Sequence, residues 1–135
     1  ALDWQPAELA DAVLLDAPCS ATGTLRRHPE AAWLRGPQQI ARFAEGQRAL
    51  LAAASAMLKP GGCLVYAVCS QEPEEGEAIL SDAAALGLAP DPIRAEEIGG
   101  ITAAILPSGA VRTSPELLAD AGGLDGFFIA RWRKV

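Results

Sequence analysis

The sequence predicts an α/β fold with parallel strands, and three observations carry that expectation. Two aliphatic runs, Val13-Leu14-Leu15 and Leu64-Val65-Tyr66-Ala67-Val68, have the composition of strands buried on both faces. A helical stretch lies between them and closes on Lys59-Pro60-Gly61-Gly62, so the unit reads β-α-β. Each run also leads into a Cys-Ser pair, Asp16-Ala17-Pro18-Cys19-Ser20 and Cys69-Ser70. A right-handed crossover can lay such strands side by side, about 4.8 Å apart, with both carboxyl ends on one edge. Ligands of open α/β sheets bind at that edge. Cys19 and Cys69 are therefore expected to share one crevice, a setting for thiol chemistry.

The elements follow in order. Ala1 to Asp11 reads as a loop or brief helix before a first strand over Ala12 to Ala17. Pro18 to Gly36 carries Pro, Ser, Thr, Gly and Arg without periodicity, and reads as a long functional loop. From Pro37 to Leu58 the apolar residues Ile40, Phe43, Ala44, Leu50, Leu51, Ala54 and Leu58 recur at helical spacing, with Pro37 suited to a first turn. Gly61-Gly62 is expected to stop that helix, and Cys63 to Val68 to form the second strand. Glu72, Glu74, Glu75 and Glu77 place carboxylates in the first turn of a helix ending near Leu86, where they complement the helix dipole. Ile101 to Leu106 and Ala110 to Arg112 read as a small hairpin, and Phe127 to Trp132 as a final strand. A dinucleotide-type fold would open with a strand, a Gly-rich turn and an acidic residue. Nothing of that kind precedes Asp16, so the chain reads as the back half of such a sheet, one partial domain over residues 1–135.

Bulk properties narrow the classes. A chain of 135 residues, half of them hydrophobic, is enough for one core and too apolar for disorder. No apolar run approaches the roughly 20 residues of a membrane span. Three cysteines do not make a secreted disulfide framework, and a reducing, cytoplasmic setting is expected. The net charge of −6 by itself argues against nucleic acid, but Arg26, Arg27, His28 and Arg35 cluster behind the first cysteine. A single histidine gives His28 no partner for a metal site, and none is expected. Cys63 reads as a small buried hydrophobe at the start of its strand, away from the crevice, and Trp4, Trp33 and Trp132 as packing residues. Asp16, after three aliphatics, would be costly to bury unpaired and is favoured as a site residue.

The run Asp16-Ala17-Pro18-Cys19-Ser20-Ala21-Thr22-Gly23-Thr24-Leu25-Arg26-Arg27-His28-Pro29-Glu30, with Trp33 behind it, resembles the signature of the Sun-type (Fmu-type) RNA cytosine-5 methyltransferases. Tyr66-Ala67-Val68-Cys69-Ser70 followed by Pro73-Glu74-Glu75 resembles that family's second cysteine motif, and Gly122 to Phe128 its last strand. Val68 stands where the second motif usually has Thr, and Gly76 where Asn often follows. The resemblance implies the carboxyl-terminal half of a Rossmann-like methyltransferase that uses S-adenosylmethionine. Its substrate would be carbon 5 of a cytosine in RNA, most plausibly ribosomal.

That chemistry needs a thiolate, because carbon 5 is a poor nucleophile until sulfur adds at carbon 6. The resemblance assigns attack to Cys69 and release of the product to Cys19. It places Asp16 and Pro18 at the cofactor, and Ser20, Thr22, Gly23, Arg26, Arg27 and His28 at the substrate. Asp3 is a candidate for the acidic residue at adenine. Without the Gly-rich half, the chain alone is expected to be inactive. Two rivals remain open: a DNA cytosine-5 methyltransferase using Cys19 as nucleophile, and an RNA- or protein-binding module without catalysis.

Overall fold

The computed structural model describes residues 2 and 4–135; Asp3, the adenine candidate, lies outside the described residues. Its centre is an eleven-residue strand, β2 (Leu58–Val68), flanked by β1 (Ala10–Asp16) in parallel and β5 (Phe128–Lys134) in antiparallel orientation. Two short strands, β3 (Leu88–Pro90) and β4 (Val111–Arg112), pair antiparallel with β5 on its other side. Helix α1 (Ala31–Leu34) is a single turn inside the long loop, while α2 (Pro37–Ala56) and α3 (Glu77–Ala85) are the packing helices.

The β-α-β unit forms as the pattern predicts. Pro37 opens α2, and the Gln39 side chain accepts a hydrogen bond from the Gly36 amide at 3.2 Å, meeting one of the orphan donors of the first turn. The buried stripe of α2 is Ala44, Gln47, Leu51, Ala54 and Ser55, one face at helical spacing. Its Leu51 and Ala54 pack with Ile79 and Ala83 of α3 onto Leu64, Tyr66 and Val68 of β2 and onto Phe128 and Trp132 of β5. These alternate residues of β2 are fully buried, as a central strand requires. On the opposite face Val111 packs with Ile93, Ala104 and the half-buried Ile129 in a smaller cluster.

The structure departs from the sequence expectation at several places. The glycine pair does not end α2, which stops at Ala56; Lys59 to Gly62 lies inside β2 as an irregularity. There Ala10 pairs with Leu58 but Ala12 already with Cys63, and Gly61 takes the positive φ of 77° that this excursion needs. The first strand, expected to be buried on both faces, is an edge strand among the described residues, and Leu14 is 72% exposed. The carboxylate-rich first turn is also narrower than expected. Residues 73–76 form turns, α3 starts at Glu77, and Glu75 is drawn into the interior. The hairpin reduces to one bridge between Ile105 and Val111, because β4 pairs with β5 instead. Of the three tryptophans only Trp132 packs in the core; Trp4 is 62% and Trp33 91% exposed.

Candidate active site

Parallel register between β1 and β2 sets Asp16 against Ala67, so the two chains leave the sheet side by side. One further rung, from the Ala17 amide to the Ala67 carbonyl at 3.0 Å, carries the pairing into the loops. The result is the expected crevice: Cys19 Sγ and Cys69 Sγ are 3.4 Å apart, close enough for one thiol to donate to the other sulfur. Both are partly buried and unbridged, as is Cys63, which lies earlier on β2 opposite Ala12. Burial, with further contributions from hydrogen bonding to Cys69 and the charges of Cys69 and Glu75, outweighs a backbone hydrogen bond at Ala21 and pushes the Cys19 thiol up to about 12.

Beneath the thiols lies a polar network that the sequence did not single out. The Glu75 carboxylate, 0% exposed, accepts from the Ser20 amide (2.9 Å), from Gln47 Nε2 (2.9 Å) and from the hydroxyls of Ser70 (2.5 Å) and Ser20. Gln47 Nε2 also donates to the Pro18 carbonyl at 2.9 Å, while its Oε1 has no partner among the described residues. The Tyr66 hydroxyl donates to the Glu75 carbonyl at 2.7 Å; burial, followed by the charge of Glu75, holds that phenol above its usual range. One signal was legible: Gln47 is the only long polar side chain in the α2 stripe, set among Ala44, Leu51, Ala54 and Ser55. Which of Glu72, Glu74 and Glu75 turns inward was not.

The other predicted residues separate into two groups. Asp16 and Pro18 are exposed at the carboxyl edge, so the burial cost expected for Asp16 does not arise and its position alone marks it. Ser20, by contrast, is fully buried, with both its amide and hydroxyl engaged by Glu75. Thr22 Oγ1 accepts the Gln71 amide at 3.0 Å. Gly23 is a backbone crossing: its amide donates to the Cys69 carbonyl (3.0 Å) and its carbonyl accepts from the Gly126 amide (2.7 Å). A Cβ there would come within 1.8 Å of the Gly126 carbonyl oxygen, so the close approach that demands glycine is to the protein's own chain. Arg26 bonds Asp125 (2.8 Å) and the Gly122 carbonyl (2.6 Å), and Arg27 pairs with Asp125 as well. His28 is exposed beside Glu30. Arg112, which the sequence did not mark, donates to the Ser70 carbonyl at 3.1 Å and to Glu77, and lies over the Phe128 ring.

Two thiols in contact at the carboxyl ends of parallel strands, above a carboxylate-pinned pair of loops, form a candidate active site on an α/β sheet. Comparison with known proteins makes the class specific: the chain belongs to the family described as 16S rRNA methyltransferase RsmB/F, whose model matches residues 2–133. It is similar to ribosomal RNA small subunit methyltransferase B of Sodalis glossinidius, 45% identical over 97% of this chain and 28% of that protein. The corresponding protein of Vibrio cholerae serotype O1 is 42% identical over 94% of this chain and 26% of its own length. A solved structure described as NSun6 from Pyrococcus horikoshii with SFG superposes at a TM-score of 0.73, with 31% identity, over 96% of this chain and 31% of that one. The chain spans about a quarter of the length of these curated relatives.

Proposed function

We propose that this chain is the carboxyl-terminal catalytic part of a longer cytoplasmic enzyme that methylates carbon 5 of a cytosine in RNA, ribosomal RNA foremost. The observation that carries the reading is the 3.4 Å separation of the Cys19 and Cys69 sulfurs at one sheet edge. The family, the names of the relatives and the SFG of the archaeal structure, an S-adenosylmethionine analogue, support it.

The residues present fit one end of that cofactor. Asp16 offers an exposed carboxylate at the carboxyl end of β1, suited to an ammonium group, with Pro18 turning the chain beside it. When bound, the cofactor supplies an electrophilic methyl group. Cys69 adds through sulfur to carbon 6 of the cytosine and makes carbon 5 nucleophilic. Release breaks the carbon–sulfur bond as the carbon-5 proton leaves to solvent base, the 5,6 double bond re-forms and the sulfur departs as the Cys69 thiolate. Cys19, 3.4 Å from that sulfur, is placed to assist this elimination by donating its proton to the departing thiolate. Arg27 and His28, both exposed, are the basic groups of the motif that RNA phosphates can meet.

In the longer enzyme, Cys69→Ala is expected to abolish methylation and any denaturant-stable RNA adduct, whereas Cys19→Ala leaves enzyme trapped on RNA. Denaturing gels of enzyme mixed with labelled RNA read both. Trapping by Cys69→Ala in place of Cys19→Ala would reverse the roles and favour the DNA-type mechanism. RNA binding without methylation by the intact protein would favour a binding module.

A further inference from the structure

We propose that Glu75 is a positioning residue that holds the two cysteines at reacting separation by tying together the peptides that follow them. The inference rests on the reading of Cys69 and Cys19 as the reacting pair.

Ser20 directly follows Cys19 and Ser70 directly follows Cys69, and both donate to one carboxylate. A third element enters through Gln47 of α2, which donates to Glu75 at 2.9 Å and to the Pro18 carbonyl on the other side of Cys19 at 2.9 Å. Glu75 is itself fixed from behind, because the Tyr66 hydroxyl reaches its carbonyl from the core of β2. Two strand ends and a helix therefore converge on a group with no solvent exposure and four donors. A buried carboxyl group is expensive to keep without such donors. Its neighbours Glu72, half-buried, and Glu74, exposed, make no such contacts through their carboxylates among the described residues. Adjacent strands alone would set the cysteine backbones about 4.8 Å apart and leave the loop torsions free. Pinning the next residue in each loop removes that freedom and aims both sulfurs into the same space.

A role confined to stability would lower the melting temperature and leave the sulfurs aligned in the folded protein. The variants are Glu75→Gln, nearly isosteric, and Ser70→Ala, which removes one donor and keeps the carboxylate. Two measurements on the longer enzyme, well below its melting temperature, separate the cases. The first is kcat against KM for RNA: Glu75→Gln is expected to lose about 100-fold in kcat with KM within about twofold, since a misplacement on the order of 1 Å has that effect. The second needs no methyl transfer. With Cys63→Ser in place, oxidised glutathione takes the two thiols to a Cys19–Cys69 disulfide and releases two reduced glutathiones. The equilibrium of that exchange reports how well the sulfurs are held together, and Glu75→Gln should weaken closure at least about tenfold. Ser70→Ala should give a smaller change of the same sign and stands as the test if Glu75→Gln does not fold. Unchanged closure in the folded variants, or unchanged kcat, would overturn the proposal. If instead Cys69→Ala retains methylation, the assignment of the nucleophile fails, while the disulfide equilibrium still reads the positioning by Glu75.

Discussion

At the scale of single residues, the Cys19 thiol in contact with Cys69 holds its proton well above the ordinary thiol range. Burial is the first cause of the high Cys19 value, and contact with Cys69 adds to it. Replacing Cys69 by Ala should therefore lower the Cys19 value only in part, leaving Cys19 slow to alkylate at neutral pH. The rate of iodoacetamide labelling against pH, in a Cys63→Ser background, checks this. The same group makes a stability statement. A thiol that titrates near 12 when folded and near its ordinary value when unfolded binds more protons in the native state between those limits. Stability is therefore full below about pH 8.5 and is lost as pH rises through that window. Cys19→Ala should flatten the lower part of the decline in urea titrations, before Tyr66 contributes above pH 10. Tyr66→Phe, which removes the hydroxyl from the Glu75 carbonyl, should cost about 1 kcal/mol or somewhat more by the same urea titration, because a buried acceptor is left unpaired.

Among elements, the long loop after β1 is held at its start and along its course by the rest of the molecule. Its start is pinned by Glu75, and its middle crosses the segment before β5 at Gly23 and Gly126. Gly23→Ala would drive a methyl group into the Gly126 carbonyl, and the backbones must separate. The expected outcome is a melting temperature lowered by several degrees together with loss of methylation, read by calorimetry and by activity of the longer enzyme. Farther along, Asp125 gathers Arg26 and Arg27, and hydrogen bonds from Arg27 and then Arg26 hold its carboxyl below the usual range. A depressed carboxylate contributes stability above its unfolded value that is lost as pH falls through the folded one. Both arginines are largely exposed, so the effect should be small and weakened by salt. Thermal melts of Asp125→Asn at low and high ionic strength should converge on wild type as salt rises.

For the whole molecule, β1 is the longer of the strands left at an edge of the described sheet, the other edge being formed by the short β3 and β4. Beside β1 an apolar groove of about 320 Å³ is lined by Trp4, Val13, Leu15, Leu50, Ala53, Ala54 and Met57, and Leu14 lies bare on the other face of the strand. An exposed hydrophobic edge strand is a template for pairing. The 135-residue chain by itself should accordingly self-associate, and the longer enzyme proposed above should not; light scattering at matched concentrations distinguishes them. Calorimetric titration of the isolated chain with S-adenosylmethionine should also show no saturable binding at micromolar cofactor. On the proposed reading Asp16 would supply only one edge of the cofactor pocket, and these 135 residues hold no Gly-rich turn of the kind such folds use to approach a nucleotide.

The sequence alone determined the β-α-β unit, the meeting of Cys19 with Cys69, and the family, because each rests on local pattern: aliphatic runs, a helical stripe and residues adjacent in the chain. It could not determine which glutamate turns inward, since Glu72, Glu74 and Glu75 share one composition and only the donors on Ser20, Gln47 and Ser70 choose among them. It assigned Ser20 and Gly23 to substrate, yet both are engaged within the protein, because a hydroxyl or a glycine in a loop looks the same whether it faces a ligand or another strand. Nor could it place β3 and β4, strands of three and two residues that exist because β5 offers them an edge. Pairing and burial of that kind join residues tens of positions apart, and only the folded chain brings those partners together.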